Sequence, residues 1–375
     1  LDLGQVFVHG VTIMPGKPVV IGTVGQTPVF GIPGYPVSAI IAFEQFVRPL
    51  IHRMLGQPDD TGETIQVEPT RKIASKLGVE EFLRVKLGQV GDRIVATPLP
   101  RGAGSITSIT EADGIIRIPT HIEGINDREK VSAQLLRPLP SVLRTIVIVG
   151  SHDNTLDVLA DQIKARHSRL TLSSSHVGSM GGLMAIKKGV CHLAGSHLLD
   201  PQDGSYNVSY IEKFLAQVDV KLVNLVLRDQ GLIVGRGNPK SIKGIEDLAR
   251  NDISFINRQA GSGTRILLDY RLNQIGIDPA DINGYHHEEF THMAVAVAVL
   301  SGTVDAGLGI HAAAAALDLD FIPVVTEQYD LIIAAEHFDS ENIQLLLEAV
   351  NSRQFKRRVD ALGGYSTEKT GEIIL

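Results

Sequence analysis

The sequence predicts a chain of mixed class: an α/β segment, a small all-β segment and a larger, two-lobed α/β segment, in that order. The chain has 375 residues, and at roughly 100–200 residues per domain this length indicates two or three domains. Short β-rich runs without a long helix fill the middle of the chain, and strands alternate with helices from Thr145 onward. Such alternation is typical of a parallel or mixed sheet with helices on both faces.

Residues 1–58 form the first predicted domain. Val19–Thr23 and Thr27–Phe30 are apolar and β-branched strands separated by a turn. Pro33-Gly34-Tyr35-Pro36 then interrupts the chain, and apolar periodicity predicts one helix over Val37–Leu55. A strand, a rigid turn and a helix start are typical of an α/β binding site.

Residues 59–140 form the second predicted domain, which is all-β. Short β-rich runs alternate with turns such as Gly91-Asp92 and Asp113-Gly114. The pattern indicates a barrel or a sandwich. The stiff sequence Arg137-Pro138-Leu139-Pro140 is expected to be a linker.

Residues 141–375 form the third predicted domain. Ile146–Val149 is a fully apolar strand, and a β–α rhythm follows it. The segment is longer than one lobe needs. It fits two lobes around a cleft, one formed by approximately residues 144–225 with 330–375 and the other by residues 226–329.

The charge balance argues against a general nucleic-acid or anionic-membrane binder. The chain carries 35 Lys and Arg against 42 Asp and Glu, a formal net charge of −7, whereas such binders need a basic field. Residues 141–375 hold 21 of the basic and 28 of the acidic residues. Any anion bound there must therefore be held by local donors.

Cysteine usage and hydropathy indicate the cellular location of the protein. Cys191 is the one cysteine, so no internal disulfide can form, and no Cys/His cluster offers a zinc site. We expect a cytoplasmic protein. No stretch approaches the roughly 18 apolar residues of a membrane-spanning helix. Leu1-Asp2-Leu3-Gly4 has neither a Met nor a signal-peptide pattern, so we take the chain to be a fragment of a longer protein.

Lys17 and Ser38 are candidate anion-binding residues in the first domain. Lys17 lies between two prolines just before a strand, and Ser38 lies near a predicted helix start. Free helix N–H groups and an ammonium suit a phosphate or another oxyanion. The alternative is a Pro-rich turn in which Ser38 caps the helix and Lys17 is solvated.

Three Gly/Ser loops in the third domain lie where strands lead into helices. They are Gly150–Asn154, Gly178–Gly182 and Asn257–Arg265. Each offers unpaired helix N–H groups and a short hydroxyl side chain, which together bind an anion without net charge. Each loop alone could be only a helix cap, since Ser and Thr are preferred at that position.

The histidines and serines show no familiar catalytic or metal-binding pattern. No HExxH or HxH spacing is present, and we expect structural or solvent-facing roles for most histidines, with His197 the best candidate exception. Gly178-Ser179-Met180-Gly181 lacks the GxSxG spacing of a nucleophile elbow. Gly150-Ser151 opens no dinucleotide-binding GxGxxG. The sequence thus assigns no catalytic residue.

Residues 4–140 resemble the second half of the catalytic domain and the C-terminal barrel of the molybdopterin molybdenumtransferase family. The motifs that carry the resemblance are Phe7-Val8-His9-Gly10-Val11, Met14–Pro18, Pro28–Ala39, Phe82–Val85 and Gly104–Ser108 with Ala112–Gly114. The family inserts molybdate into adenylated molybdopterin. The resemblance implies a partial molybdopterin-binding-like α/β domain, a small β barrel and a molybdate site made of Lys17, Ser38, Arg84 and Ser108.

This first resemblance has departures. The family usually carries a second basic residue three positions before Lys17, where this chain has Met14. The family's Gly-rich, Asp-bearing loop and N-terminal domains, which bring Mg²⁺ ligands and much of a homodimer interface, are absent from the sequence. Arg84 could instead be a surface strand residue and Ser108 an ordinary turn serine.

Residues 144–375 resemble the type 2 periplasmic-binding-protein-like superfamily. The motifs are Gly150–Asp153, Val177–Leu183, His192–Asp200, Gly235–Pro239, Asn257–Arg265 and Ala306–Gly309. In relatives that bind molybdate, tungstate or phosphate, Ser and Thr at helix starts hold the oxygens. By that analogy the site residues are Ser151, Ser179, Ser262, Thr264 and Thr291, with Arg258 or Arg265 as the charged partner.

Two functional hypotheses follow from these resemblances. In the first, the parent protein inserts molybdate or tungstate into adenylated molybdopterin, and the C-terminal domain captures or senses an oxyanion. In the second, the transferase part is degenerate, as Met14 hints, and the protein is an oxyanion or pterin sensor. Either way the expected partners are a small-molecule ligand and other molybdenum cofactor synthesis proteins, with no nucleic acid and no membrane.

Overall fold

The computed structural model describes residues 4–58, 62–200 and 202–375. It divides into two compact units between Val147 and Ile148. The first unit holds a small α/β element and a β barrel, and the second holds the β–α alternation, so the predicted mixed fold class is confirmed. None of the described helices is long and apolar enough to cross a membrane.

A three-stranded antiparallel sheet begins the first unit. It contains β1 Gln5–His9, β3 Val20–Val24 and β4 Thr27–Gly31 in the order β1-β3-β4. Gly25 has a φ of +59° in the turn between β3 and β4. Glycine adopts this left-handed conformation at little cost, which explains the tight hairpin.

The helix predicted over Val37–Leu55 is interrupted. It consists of α1 Pro36–Ala42, a π-helical segment Phe43–Val47 and α2 Arg48–Met54. Pro49 lies in the first turn of α2 and has no N–H to donate to the preceding turn, which favours a locally wider helix. Apolar periodicity does not report such an interruption.

A five-stranded closed barrel completes the first unit. The barrel strands are β5 Thr64–Pro69, β7 Glu80–Val90, β8 Arg93–Pro98, β9 Gly114–Ile118 and β11 Val131–Leu135. Their order is β7-β8-β5-β11-β9, and β7 also pairs with β9, which closes the barrel. Its interior contains fully buried apolar side chains such as Leu83, Val85 and Ile116.

Several short strands and helices complete the first unit. They are β2 Ile13–Met14, which pairs with β7, β6 Ile73–Ala74, which pairs with β10 Gly124–Ile125, and the helices α3 Ile106–Thr110 and α4 Leu139–Val142.

The second unit is built on one nine-stranded mixed sheet. Its strands are β12 Thr145–Gly150, β13 Thr171–His176, β14 Leu193–Ser196, β15 Val220–Val234, β16 Phe255–Arg258, β17 Glu288–Glu289, β18 Ala306–Ile310, β19 Asp320–Ala334 and β20 Tyr365–Ser366. The order is β13-β12-β14-β19-β15-β18-β16-β17, with β20 on β15.

Helices cover this sheet. They are α5 Asn154–Arg166, α6 Gly178–Lys188, α7 Val208–Phe214, α8 Gly263–Ile275, α9 His292–Leu300, α10 His311–Ala316, α11 Ala335–Phe338, α12 Glu341–Asn351 and α13 Arg353–Asp360, with 3₁₀ turns at Ile245–Ala249 and Pro279–Asp281.

Two long antiparallel strands, β15 and β19, run through both lobes of this unit. Each has 15 residues. The apolar pattern instead predicts two shorter strands in each place, namely Lys221–Val226 with Gly231–Val234, and Phe321–Val325 with Leu331–Ala334. The polar residues in the middle of each strand, such as Arg228 and Glu327, interrupt the apolar pattern but not the pairing. Strands β12, β13 and β14 lie on one side of this pair, which we call lobe 1, and β16, β17 and β18 lie on the other side, which we call lobe 2.

Candidate functional site

Arg228 lies at the middle of the β15–β19 pair and is fully buried. Its Nη1 is 2.5 Å from Asp153 Oδ2, and its Nη2 is 2.9 Å from Glu327 Oε1. Asp153 also caps α5 by accepting a hydrogen bond of 2.8 Å from Thr155 N. Burial alone would raise the pKa of both carboxyls, but the Arg228 guanidinium holds the pKa of each below its usual range.

Two tyrosines fix the loop before α5 to this charged cluster. The Tyr329 hydroxyl donates to the Ser151 carbonyl at 2.5 Å, and the Tyr365 hydroxyl donates to Asp153 Oδ2 at 3.1 Å. Burial raises the pKa of both phenols well above the ordinary value, with the Asp153 charge adding to the effect. Both hydroxyls therefore remain protonated donors, and the loop has a defined conformation.

His197 joins this cluster to the loop before α5 and to the first turn of α6. Its Nε2 is 2.8 Å from Ser151 Oγ, and its Nδ1 contacts Glu327 Oε1. Its backbone N–H donates to Ser179 Oγ in the first turn of α6, at 3.2 Å. Ser151 and Ser179 thus both contact His197, the first at the imidazole and the second at the backbone N–H, although they lie in different strand-to-helix junctions.

The start of α8 approaches His197 from lobe 2. Ser262 caps α8 and accepts a hydrogen bond of 3.2 Å from Arg265 N, so its hydroxyl is engaged with its own helix. Gly263 follows it, and a Cβ at Gly263 would lie 2.4 Å from His197 Cε1. Thr264 is buried in the first turn of α8. The close approach of helix and imidazole therefore requires glycine at this position.

Arg258 is the exceptional charged residue of lobe 2. It ends β16 with 8% of its surface exposed, and its Nε and Nη1 have no hydrogen-bond partner among the described residues. Burial lowers the pKa of the guanidinium to about 10, and the Arg228 charge adds to the effect. It is still protonated at neutral pH. The Glu289 charge opposes this lowering of the pKa, but two buried donors without acceptors are costly unless something outside the chain accepts from them.

His292 begins α9 close to the same charges. Burial lowers its pKa well below the usual value, followed by the charges of Arg258, Arg228 and His197. Its Nδ1 is buried without a hydrogen-bond partner among the described residues. A neutral imidazole therefore lies beside Arg258, with a nitrogen free to interact with a ligand.

Arg265 and Thr291 are engaged within the protein. Arg265 Nε donates to Asp269 at 3.1 Å, its Nη1 donates to Glu288 at 3.3 Å, and its guanidinium lies 4.0 Å from the centre of the Tyr285 ring. Thr291 is exposed and caps α9 by accepting a hydrogen bond of 3.0 Å from Ala294 N. Of the two arginines considered from the sequence, Arg258 is the one with free donors.

The sequence analysis does not select several of the central residues. They are Asp153, Arg228, His292, Glu327, Tyr329 and Tyr365. Asp153 lies within the predicted loop Gly150–Asn154, and aspartate at a helix start is a recognisable capping signal. Arg228 and Glu327 are far apart in the chain, and only the antiparallel register places them opposite each other.

In the first unit, Arg84 and Ser108 lie together. Arg84 Nε donates to Ser108 Oγ at 3.2 Å, and its Nη2 donates to the Pro100 carbonyl at 2.7 Å. Both side chains are buried, so Arg84 is not a surface strand residue. Burial lowers the pKa of the Arg84 guanidinium, with the Glu81 charge opposing this effect.

Lys17 and Ser38 occupy neighbouring loop and helix positions. Lys17 is exposed, and a Cβ at the preceding Gly16 would lie 3.7 Å from the Ser38 carbonyl. Ser38 is buried within α1, whose N-cap is Tyr35, so the alternative in which Ser38 caps the helix is wrong. The N–H of Val37 donates to the Ala103 carbonyl at 3.2 Å, which joins α1 to the loop before Ser108.

Among the described residues, no group of three or more His, Cys, Asp or Glu side chains could hold a metal ion. The Mg²⁺ that the transferase resemblance implies therefore has no ligand set in the described part of the chain.

Family comparisons define the class of protein. A family described as "PBP superfamily domain" matches residues 160–351, "MoeA C-terminal region (domain IV)" matches residues 66–136, and "Probable molybdopterin binding domain" matches residues 1–53. The chain belongs to the PBP superfamily, and its PBP-like domain is fused to the C-terminal part of a MoeA-like molybdopterin molybdenumtransferase.

Individual relatives divide along the same lines. "Uncharacterized protein YvgK" of Bacillus subtilis is 38% identical over 232 residues, which are 62% of this chain and 74% of that protein. "Putative molybdopterin biosynthesis protein MJ0666" of Methanocaldococcus jannaschii is 38% identical over 36% of this chain and 31% of its own length. "Molybdopterin molybdenumtransferase 2" of Mycobacterium tuberculosis is 31% identical over 32% and 29%. The chain thus spans about a third of these molybdopterin relatives.

Solved structures give similar partial matches. A molybdopterin biosynthesis MoeA protein from Pyrococcus horikosii is 37% identical with a TM-score of 0.32, covering 36% of this chain and 33% of that one. A tungstate ABC transporter structure from Geobacter sulfurreducens is 15% identical with a TM-score of 0.43, covering 58% and 98%.

Proposed function

We propose that the PBP-like domain binds a tetrahedral oxyanion, molybdate or tungstate, in the cleft between its lobes, and that the protein serves molybdenum cofactor biosynthesis. The observation that carries the proposal is Arg258, a buried guanidinium with free Nε and Nη1 donors beside the start of α8. An anion placed there would pair with this charge and satisfy its donors.

Further donors lie around the same position. Ser151 and Ser179 reach the cleft from lobe 1 through His197, and Thr264 and the first N–H groups of α8 reach it from lobe 2. Ser262 and Thr291 hold their own helix starts, so their contribution is to orient N–H groups. Such a set of local donors suits an anion even though this part of the chain is acidic overall.

The transferase-like part is proposed to hold molybdate near Lys17, Ser38, Arg84 and Ser108. The molybdenumtransferase relatives support this assignment by their names and identities. Arg84 and Ser108 lie within hydrogen-bond distance of each other, and the Lys17 loop is close to the Ser38 backbone. In the complete protein, these groups would position molybdate against adenylated molybdopterin and offset its charge.

The remaining expectations rest on the family. Adenylated molybdopterin as a substrate, Mg²⁺, a homodimer, other cofactor-synthesis proteins as partners and a cytoplasmic location are proposals for the complete protein. The described residues supply no cluster of ligands for Mg²⁺.

A thermal shift series on the full chain tests oxyanion binding. Molybdate and tungstate should raise the melting temperature, since a ligand at 100 times its Kd stabilises the folded state by about 2.7 kcal/mol. The double variant Ser262→Ala, Thr264→Ala should lose the shift, because the first turn of α8 then loses its cap and its hydroxyl. Ser168→Ala, on the exposed turn after α5, is the matched control.

The response to four anions decides whether the PBP-like domain binds an oxyanion. If sulfate, phosphate, molybdate and tungstate all leave the melting temperature unmoved, the oxyanion proposal is wrong and a larger organic ligand is preferred.

The sensor hypothesis is favoured by Met14, which stands in β2 where the family carries a basic residue. Incubating the protein with adenylated molybdopterin and molybdate separates the two functions. Release of AMP supports insertion, whereas stabilisation by ligand without AMP release supports a sensor.

A further inference from the structure

Ser151, His197 and Glu327 form a connected chain of polar contacts. Ser151 Oγ lies 2.8 Å from His197 Nε2, and His197 Nδ1 is in contact with Glu327 Oε1. This is the order of groups in a serine nucleophile, a general base and an orienting carboxylate. The three residues come from the loop after β12, the segment after β14 and the middle of β19.

The Glu327 carboxylate is also held by a second residue besides His197. Glu327 Oε1 also accepts from Arg228 Nη2 at 2.9 Å, and Arg228 is fixed in turn by Asp153. The Glu327 contact favours a proton on Nδ1, which would leave Nε2 to accept the Ser151 proton. This is the tautomer that a general base needs.

The buried cluster beside His197 carries a net negative charge. Two carboxylates, Asp153 and Glu327, face one guanidinium, Arg228. The imidazolium formed when Ser151 loses its proton would offset the remaining charge.

Groups that could bind a substrate lie beside Ser151. The first turn of α6 is close, because Ser179 Oγ accepts from the His197 N–H, and its N–H groups can stabilise a developing oxyanion. Across the cleft, Arg258 offers a buried guanidinium whose Nε and Nη1 are unpartnered among the described residues. A substrate with a carboxylate or another anionic group would satisfy it.

We propose that Ser151, His197 and Glu327 form a catalytic triad that hydrolyses an ester or thioester carrying an anionic group. Ser151 Oγ forms a bond to the acyl carbon while its proton passes to His197 Nε2. The bond to the leaving alcohol or thiol then breaks, and that group takes the proton from His197. Water, activated by His197 in the same way, hydrolyses the acyl-serine, releases the acid and restores Ser151.

Labelling of the full chain with a fluorophosphonate tests the nucleophile. We expect one covalent adduct, located on Ser151 by peptide mass spectrometry, since the probe reacts with activated serines. His197→Gln should slow labelling by about 100-fold or more, because the general base is lost. Ser168→Ala, which changes an exposed serine, should label like the wild type.

The adduct is mapped in the unmodified protein, so the result does not depend on whether a variant folds. No adduct on the folded protein, or equal labelling of Ser151 and other serines, overturns the proposal. Labelling is measured without molybdate or tungstate, so a failure of oxyanion binding and a failure of the triad are distinguishable.

The substrate class has its own test. The wild type should hydrolyse the 4-nitrophenyl monoester of succinate at least about tenfold faster than 4-nitrophenyl acetate, since Arg258 can pair with the free carboxylate. Arg258→Gln should remove this preference, so that the two esters are hydrolysed at similar rates. Equal rates for both esters in the wild type would overturn the anionic class of substrate.

Discussion

Arg228 and Glu327 face each other across the two long strands of the second unit, with Arg228 Nη2 2.9 Å from Glu327 Oε1. Neither side chain is exposed to solvent. The pair lies at the middle of the strands, with strands of lobe 1 near one end and strands of lobe 2 near the other. This ion pair links the middle of the sheet to the candidate site, because Glu327 also contacts His197.

Arg228→Met should destabilise the protein strongly. The substitution leaves Asp153 and Glu327 buried without their shared cation, and breaking a buried pair in this way costs about 3–5 kcal/mol. Urea unfolding followed by circular dichroism measures the change. Arg236→Met is the matched control, since Arg236 pairs with Asp318 at a position where both side chains are 77% exposed. The control should change stability by at most about 1 kcal/mol, and equal losses for both variants would contradict the assigned role of Arg228.

Asp330 should make stability depend on pH. Burial raises its pKa to about 6, although Asn207, Asn224 and Gln328 all donate to its carboxylate. The folded-state pKa lies above the unfolded value, so the stabilisation is fully present below about pH 4. It is lost as the pH rises through about 6. The expected loss of unfolding free energy is about 3 kcal/mol, since the pKa rises from 3.8 to about 6 on folding.

The measurement is the difference in unfolding free energy between the wild type and Asp330→Asn, from pH 4 to pH 8. This difference isolates the linkage of Asp330 from that of other groups. It should change over pH 4–6 in the direction that favours the wild type at low pH, and it should be flat above about pH 7. A difference that is constant over the whole range would show that the carboxyl titrates normally.

Gly263→Ala should disturb the cleft without disturbing the fold elsewhere. The added Cβ would lie 2.4 Å from His197 Cε1, so the imidazole and the start of α8 must move apart. We expect a loss of oxyanion-induced stabilisation by at least about tenfold in apparent affinity, since donors on the two lobes no longer converge. Gly235→Ala is the control, because its Cβ would meet only Pro239 at 3.7 Å. An unchanged affinity for Gly263→Ala would place the ligand elsewhere.

Local patterns in the sequence predict much of the fold. The fully apolar strand at Ile146–Val149 is buried, and the short β-rich runs between Thr64 and Leu135 form a closed barrel. Apolar runs report strands well because buried sheets select for them. The continuity of β15 and β19 is not predicted, because polar side chains such as Arg228 are satisfied only by residues distant in sequence.

The candidate site is predictable to a similar extent. The strand-to-helix junctions that hold Ser151, Ser179 and Ser262 are predicted from the sequence because such junctions have local signatures. The sequence leaves open the choice between Arg258 and Arg265 as the charged partner. That choice could have been narrowed, since Arg265 and Asp269 are four residues apart on one helix face, a spacing at which opposite charges pair. That Arg258 is unpartnered depends on the whole tertiary structure.

The two arginines should respond to substitution in opposite ways. Arg258→Met removes a buried cation whose Nε and Nη1 have no partner among the described residues, so the ligand-free protein should gain about 1–3 kcal/mol of stability. Arg265→Met removes hydrogen bonds to Asp269 and Glu288 and a contact with the Tyr285 ring, so it should lose a similar amount.

Ligand response separates the two variants further. Molybdate or tungstate should no longer raise the melting temperature of the second unit in Arg258→Met, whereas Arg265→Met should keep the increase that the second unit of the wild type shows. The two measurements are a urea titration without ligand and a thermal shift with it. If Arg265→Met loses the response and Arg258→Met retains it, the charged partner of the ligand is Arg265. A stable Arg258→Met that still responds to oxyanions would mean that the free donors of Arg258 serve another ligand, because a binding guanidinium cannot be replaced by a thioether without loss of its charge and both hydrogen bonds.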